Sequence, residues 1–209
     1  MCRHKVSDIF TVLENYVTSV KTIIVMRILS LLLMLTPFFL KAQHFVATSE
    51  GLRDAENLDR NFLVFYFPEK TPKELYDVTN KFIQVNYVHP DNIIRGNFEG
   101  EYLRITTYAE KVFLLQKGVF GEPYYADIRF QASFEFRESR MKFEIESIDF
   151  LYNGGSFDYI RTGALTWGIF DKKGKPVKDF NIQLENYFNN YVTSLLQFID
   201  KQFTVVNDW

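Results

Sequence analysis

The stretch IRFQASFEFRESRMKFEI, Ile128 to Ile145, decides the fold. Ile128, Phe130, Ala132, Phe134 and Phe136 alternate with Arg129, Gln131, Ser133, Glu135 and Arg137. That is the period of a strand with one face in a core and the other in water. Met141, Phe143 and Ile145 alternate in the same way on the return. Charge selects the register. Pairing Phe136 with Met141 sets Phe134 opposite Phe143 and Glu135 opposite Lys142, whereas pairing Phe136 with Phe143 sets Glu135 against Glu144, a like-charge contact. A tight hairpin turning at Glu138-Ser139 is therefore expected. Beyond Ile145 the apolar phase passes to Ile148 and Phe150, which predicts a bulge near Glu146-Ser147.

Upstream, NFLVFYF (Asn61 to Phe67) is an almost continuous apolar run of strand length, the pattern of a central strand covered on at least one face. Thr71-Pro72-Lys73-Glu74 follows as a capping box, with threonine as N-cap, proline at the first helical position and glutamate at the third. Leu75, Val78, Phe82 and Ile83 recur at helical spacing up to about Tyr87, before His89-Pro90-Asp91 breaks the helix. Ile93 to Phe98 reads as a strand and Glu99-Gly100 as a turn. Tyr102 to Tyr108 and Val112 to Gln116 read as one long strand or a bent pair. Gly118 to Pro123 and Asn153-Gly154-Gly155-Ser156 read as loops, and Leu165 to Phe170 as a short strand closed by the turn Asp171-Lys172-Lys173-Gly174. Leu184, Tyr187, Phe188, Tyr191, Leu195, Phe198 and Ile199 mark a long amphipathic helix from about Phe180 to Phe203. The economical packing is an α+β layer, with two helices on one face of a curved antiparallel sheet.

At the other end, MRILSLLLMLTPFFLKAQ (Met26 to Gln43) has the order of a secretory signal peptide: a basic start, an apolar run and a small residue before the cut. Export to the periplasm or beyond is expected, and residues 1–25 are expected to belong to an upstream start. A run extended back to Ile23 behind Lys21 gives the alternative of an uncleaved anchor. Cys2 is the sole cysteine, so the exported chain has no thiol for a disulfide, a lipid anchor or a metal. Residues 44–60 read as a linker and 61–205 as a single domain. Removing residues 1–43 takes away five of the 24 basic and two of the 26 acidic residues. The remaining 19 and 24 give a net charge of −5, which is unfavourable for nucleic acid.

The order of elements, the leader ending Lys41-Ala42-Gln43, the segment TPKELYDVTNKFIQVNY (Thr71 to Tyr87) and the hairpin FEFRESRMKFEIESI (Phe134 to Ile148) are shared features. With them the chain resembles a domain-of-unknown-function family of secreted proteins from gut anaerobic bacteria, over roughly residues 60 to 205. The resemblance implies a TATA-binding-protein-like fold, strand–helix–four antiparallel strands–helix. It implies no activity, and the fold name does not bring DNA binding with it.

No nucleophile elbow, phosphate loop or dinucleotide glycine pattern is present in the sequence. His44 and His89 are isolated and supply no clustered metal ligands, so no metal or cofactor is expected. Glu135, Glu144, Glu146 and Asp149 carry the idea of an acid hydrolase, but alternation with apolar residues explains the three glutamates as a solvated sheet face. The aromatics read as lying in loops remain: Tyr124 and Tyr125 after Gly121-Glu122-Pro123, Tyr152, Phe157 and Tyr159 around the glycine loop, and Trp167 beyond it. These aromatics read either as edges of the core or as contact anchors, and Tyr124, Tyr125 and Trp167 are the expected anchors if the chain is a non-enzymatic binding module. Its partner would be an envelope protein or a glycan, met through those residues or through the bare sheet face. A carrier holding a small apolar ligand between the last helix and the sheet is the rival reading.

Overall fold

The hairpin takes the register that its charges select. In the computed structural model, which describes residues 43–117, 121–152, 154–162 and 166–204, Phe136 faces Met141, Phe134 faces Phe143 and Glu135 faces Lys142. Ser139 turns the chain with φ 58°. Glu146 is the extra residue of a bulge, because Ser147 pairs with Gln131 while Ile145 pairs with Ala132. The expected leader, apart from Gln43, and Cys2 lie outside the described residues.

The described elements are β1 (Phe45–Thr48), β2 (Gly51–Asp54), β3 (Phe62–Tyr66), α1 (Pro72–Asn86), α2 (Pro90–Ile93), β4 (Ile94–Phe98), β5 (Tyr102–Lys117), β6 (Pro123–Arg137), β7 (Arg140–Leu151), β8 (Phe157–Ile160), β9 (Trp167–Phe170) and α3 (Phe180–Thr204). Five of them form one antiparallel sheet in the order β3-β7-β6-β5-β4. The expected order of strand, helix, four antiparallel strands and helix is present, interrupted by a hairpin before it and a small parallel pair, β8 and β9, within it. Mixed α+β architecture with helices packed on a large antiparallel sheet is therefore what this sequence builds.

Both long helices cover the same sheet face. Thr71 accepts from the Glu74 backbone N–H at 3.3 Å and Glu74 accepts from the Thr71 N–H at 2.8 Å, so the capping box closes α1 at its start. Leu75, Tyr76, Val78, Phe82 and Ile83 of α1 and Phe180, Leu184, Phe188, Val192, Leu195 and Ile199 of α3 are buried. They meet Leu63, Phe65, Leu103, Ile105, Phe130, Phe134, Phe136, Met141 and Phe143 from the strands. Ring centroids of Phe130 lie 5.2 Å from Phe188 and 6.1 Å from Tyr191, and Phe143 stacks on Tyr191 at 5.8 Å. Around Phe130 and Phe143 the chain's own rings pack between α3 and the sheet, the layer in which the carrier reading placed a ligand.

Two further expectations need correcting. Residues 44–60 are not a linker. They contain the β1–β2 hairpin, with Phe45 fully buried, and it is sewn to α3 by the Asn189 side chain, which accepts from Phe45 N at 2.8 Å and donates to Phe45 O at 3.0 Å. Glu185 adds a bond to Ala47 N at 2.9 Å. The run Asn61 to Phe67 is also not a central strand, because β3 lies at the sheet edge. Leu63, Phe65 and Phe67 are buried, while Phe62 and Val64 are half-buried and Tyr66 is exposed on the face without helices. Apolarity reported burial here, not the number of strand neighbours.

A tyrosine-lined groove on the open sheet face

Alternation along the long strands decides what reaches the uncovered face. Because Ala126, Ile128 and Phe130 point into the core, Tyr125, Asp127 and Arg129 point away from it. On β5 the pairing breaks between Ala109 and Phe113, and Lys111 adopts φ 57°. Asp127 holds that irregularity in place. Its carboxylate accepts from the Lys111 N–H at 2.7 Å and from the Tyr108 hydroxyl. This bond, made to the protonated phenol, raises the Tyr108 pKa to about 12.

The result is an open groove of about 640 Å³ lined by Tyr108, Tyr124, Tyr125 and Tyr152, with Pro123, Asp127, Leu151 and Gly154. Tyr108, Tyr124, Tyr125 and Leu151 are exposed. Gly154 lies under the Tyr152 ring, so a Cβ at that position would run into it, 2.5 Å from Cζ. Tyr124 and Tyr125 belong to β6, not to a loop. Phe157 and Tyr159 likewise lie in β8, with Phe157 buried.

Trp167 is placed elsewhere. It opens β9 half-buried, 6.0 Å edge-on from Phe180, with the Lys178 ammonium 4.5 Å above its ring. Its neighbours make it part of the core rim. Tyr124 and Tyr125 are brought together and Trp167 does not join them. Sequence reasoning missed Tyr108 and Asp127; strand parity from Ile128 back to Asp127 was the signal that would have found the carboxylate.

The carboxylates considered for hydrolysis are spread along the same face and held by cations. Lys142 binds Glu135 and Glu144 at 2.9 Å each, Arg129 binds Asp149 at 2.8 Å and Arg104 lies 3.8 Å from Glu146. These are cross-strand charge pairs, and they do not converge on a common cavity. Among the described residues no group of three or more His, Cys, Asp or Glu side chains is placed to hold a metal ion, and no helix is long and apolar enough to cross a membrane.

Fold and groove together define an α+β module with one sheet face left bare by the described residues and a tyrosine-lined depression on it. No family model and no curated protein matches the chain. Among solved structures it is similar to a DUF4468 family protein from Bacteroides ovatus, with a TM-score of 0.46 and 11% identity over 71% of this chain and 87% of that one. It is also similar to a TBP-like protein from Parabacteroides distasonis, with a TM-score of 0.42 and 13% identity over 66% of this chain and 90% of that one. Likeness at this level brings no activity, and the architecture stands on this chain's own strand order.

Proposed function

We propose that this protein is an exported, non-enzymatic binding module that holds a glycan in the tyrosine-lined groove. The observation that carries the reading is the placing of Tyr108 and Tyr125 beside Asp127 on the open face, in a groove that Tyr124 and Tyr152 also line. Phenol rings offer a flat apolar surface for the C–H face of a sugar and a polar edge for its hydroxyls. Asp127 accepts two bonds already and has lone pairs to spare for a third. Export rests on the leader Met26 to Gln43, whose basic, apolar and small-residue regions follow in signal-peptide order.

Calorimetric titration of the exported chain with oligosaccharides from a bacterial envelope tests this. Tyr125→Ala should weaken binding by about tenfold, the scale of one lost aromatic anchor. Unchanged affinity in Tyr125→Ala and Tyr124→Ala would sink the groove, and capture of an envelope protein lost in the same variants would transfer it to a protein partner. N-terminal sequencing of the chain from the periplasmic fraction should begin near His44. A retained Met1 on membranes would overturn export by cleavage.

A further inference from the structure

The far end of the same sheet face carries a second feature, independent of the tyrosine groove. Arg137 and Arg140 are in direct cross-strand register at the tip of the β6–β7 hairpin. Like charges directly opposite each other destabilise a strand pair. Elsewhere on this face the compensation is thorough: Arg129, Arg104 and Lys142 each face an acidic partner. Neither arginine side chain has an ion pair or hydrogen bond among the described residues. Both line a depression of about 290 Å³ with Phe62, Val64, Glu135 and Lys142. Its size approaches the roughly 300 Å³ at which small-molecule sites begin. Glu135 does not oppose a negative guest at full strength, because Lys142 holds it at 2.9 Å.

We propose that Arg137 and Arg140 form a binding site for an oxyanion, a carboxylate or phosphate monoester carried on a small body that rests against Val64 and Phe62. Two guanidinium forks match the planar or tetrahedral oxygens of such a group, and charge-assisted bonds of this type are among the stronger ones. Neither arginine is paired with an acid among the described residues, so the site is charged before the ligand arrives. The ligand then relieves the repulsion that the empty hairpin tolerates. An acidic sugar and a phosphorylated metabolite share this chemistry.

Nuclear magnetic resonance titration of the exported chain separates them, with glucuronate, phenyl phosphate, benzoate and inorganic phosphate as probes. At least one probe should saturate, with shifts centred on the Arg137 and Arg140 side chains and the amides of Val64 and Lys142. Affinity should fall with added salt and by about tenfold in Arg140→Gln. A glucuronate response without one from phenyl phosphate assigns the acidic sugar, and the converse assigns the phosphate ester. Arg137→Thr should abolish binding and raise the melting temperature of the ligand-free protein, since it removes a like-charge contact. An ordinary surface arginine would leave that temperature unchanged or lower it on removal. No saturation with any probe, or an unchanged or lower melting temperature in Arg137→Thr, overturns the site.

Discussion

At the residue scale, one glycine sets how closely two strands approach. A Cβ on Gly168 would lie 2.6 Å from Arg161 N and 2.8 Å from Arg161 Cα, both backbone atoms that no rotamer change can remove. The parallel β8–β9 pair closes over this point through the Arg161 N–H bond to Phe170 O at 2.7 Å. Gly168→Ala should therefore cost about 1–3 kcal/mol, the usual range for overpacking a tight site. Urea unfolding measures it, and stability equal to the parent would show that the strands part without penalty. Spacing gave no warning of this contact. Gly168 follows Trp167 in a short apolar run, and nothing local says that Arg161 folds back over it.

At the element scale, two supports can be removed separately. The α1 capping box was legible because all its parts lie within Thr71 to Glu74. Thr71→Ala should cost about 1 kcal/mol, the ordinary worth of an N-cap. Its acidic half has a pH signature. The Thr71 N–H and hydroxyl hold the Glu74 carboxyl below its usual pKa. A carboxyl lowered in the folded state stabilises above its unfolded pKa and loses that effect as pH falls through the folded one. The stability difference between parent and Glu74→Ala should thus narrow as the solution is acidified below pH 4.5, the ordinary value; a constant difference would count against the cap.

The β1–β2 hairpin could not be read in the same way. Its anchors, Asn189 and Glu185, lie 144 and 138 residues along the chain from the backbone groups they bind, so no local window contains both sides. Asn189→Ala should cost about 1–3 kcal/mol through the two backbone groups it strands. It should also speed amide exchange at Phe45 while leaving Phe134 protected, as local opening of one unit predicts. Equal exchange at Phe45 would show that burial of its ring alone docks the hairpin.

At the scale of the whole molecule, the core is an aromatic one, and that makes its stability sensitive to alkali. The sequence has 22 Phe and 12 Tyr, an excess that suits a sheet-rich core. It did not say which tyrosines would be interior, since that follows from how α1 and α3 meet over Phe130 and Phe143. Tyr87, Tyr159, Tyr187 and Tyr191 all have phenol pKa values raised by burial. The Tyr191 hydroxyl lies near that of Tyr87 without a hydrogen bond of good geometry among the described residues. Each of these phenols keeps its proton in the folded state at a pH where the unfolded chain has lost it. A raised folded pKa stabilises below the unfolded value and loses that contribution as pH climbs towards the folded one. Stability should therefore decline as pH rises above 10, the ordinary phenol value. Tyrosinate absorbance should rise in two stages, the second coinciding with the loss of helical circular dichroism, because Tyr87, Tyr187 and Tyr191 ionise when the helices lift from the sheet. A single smooth titration with the helices intact would mean that water already reaches the Tyr87–Tyr191 region, and the core would be looser than its ring contacts require.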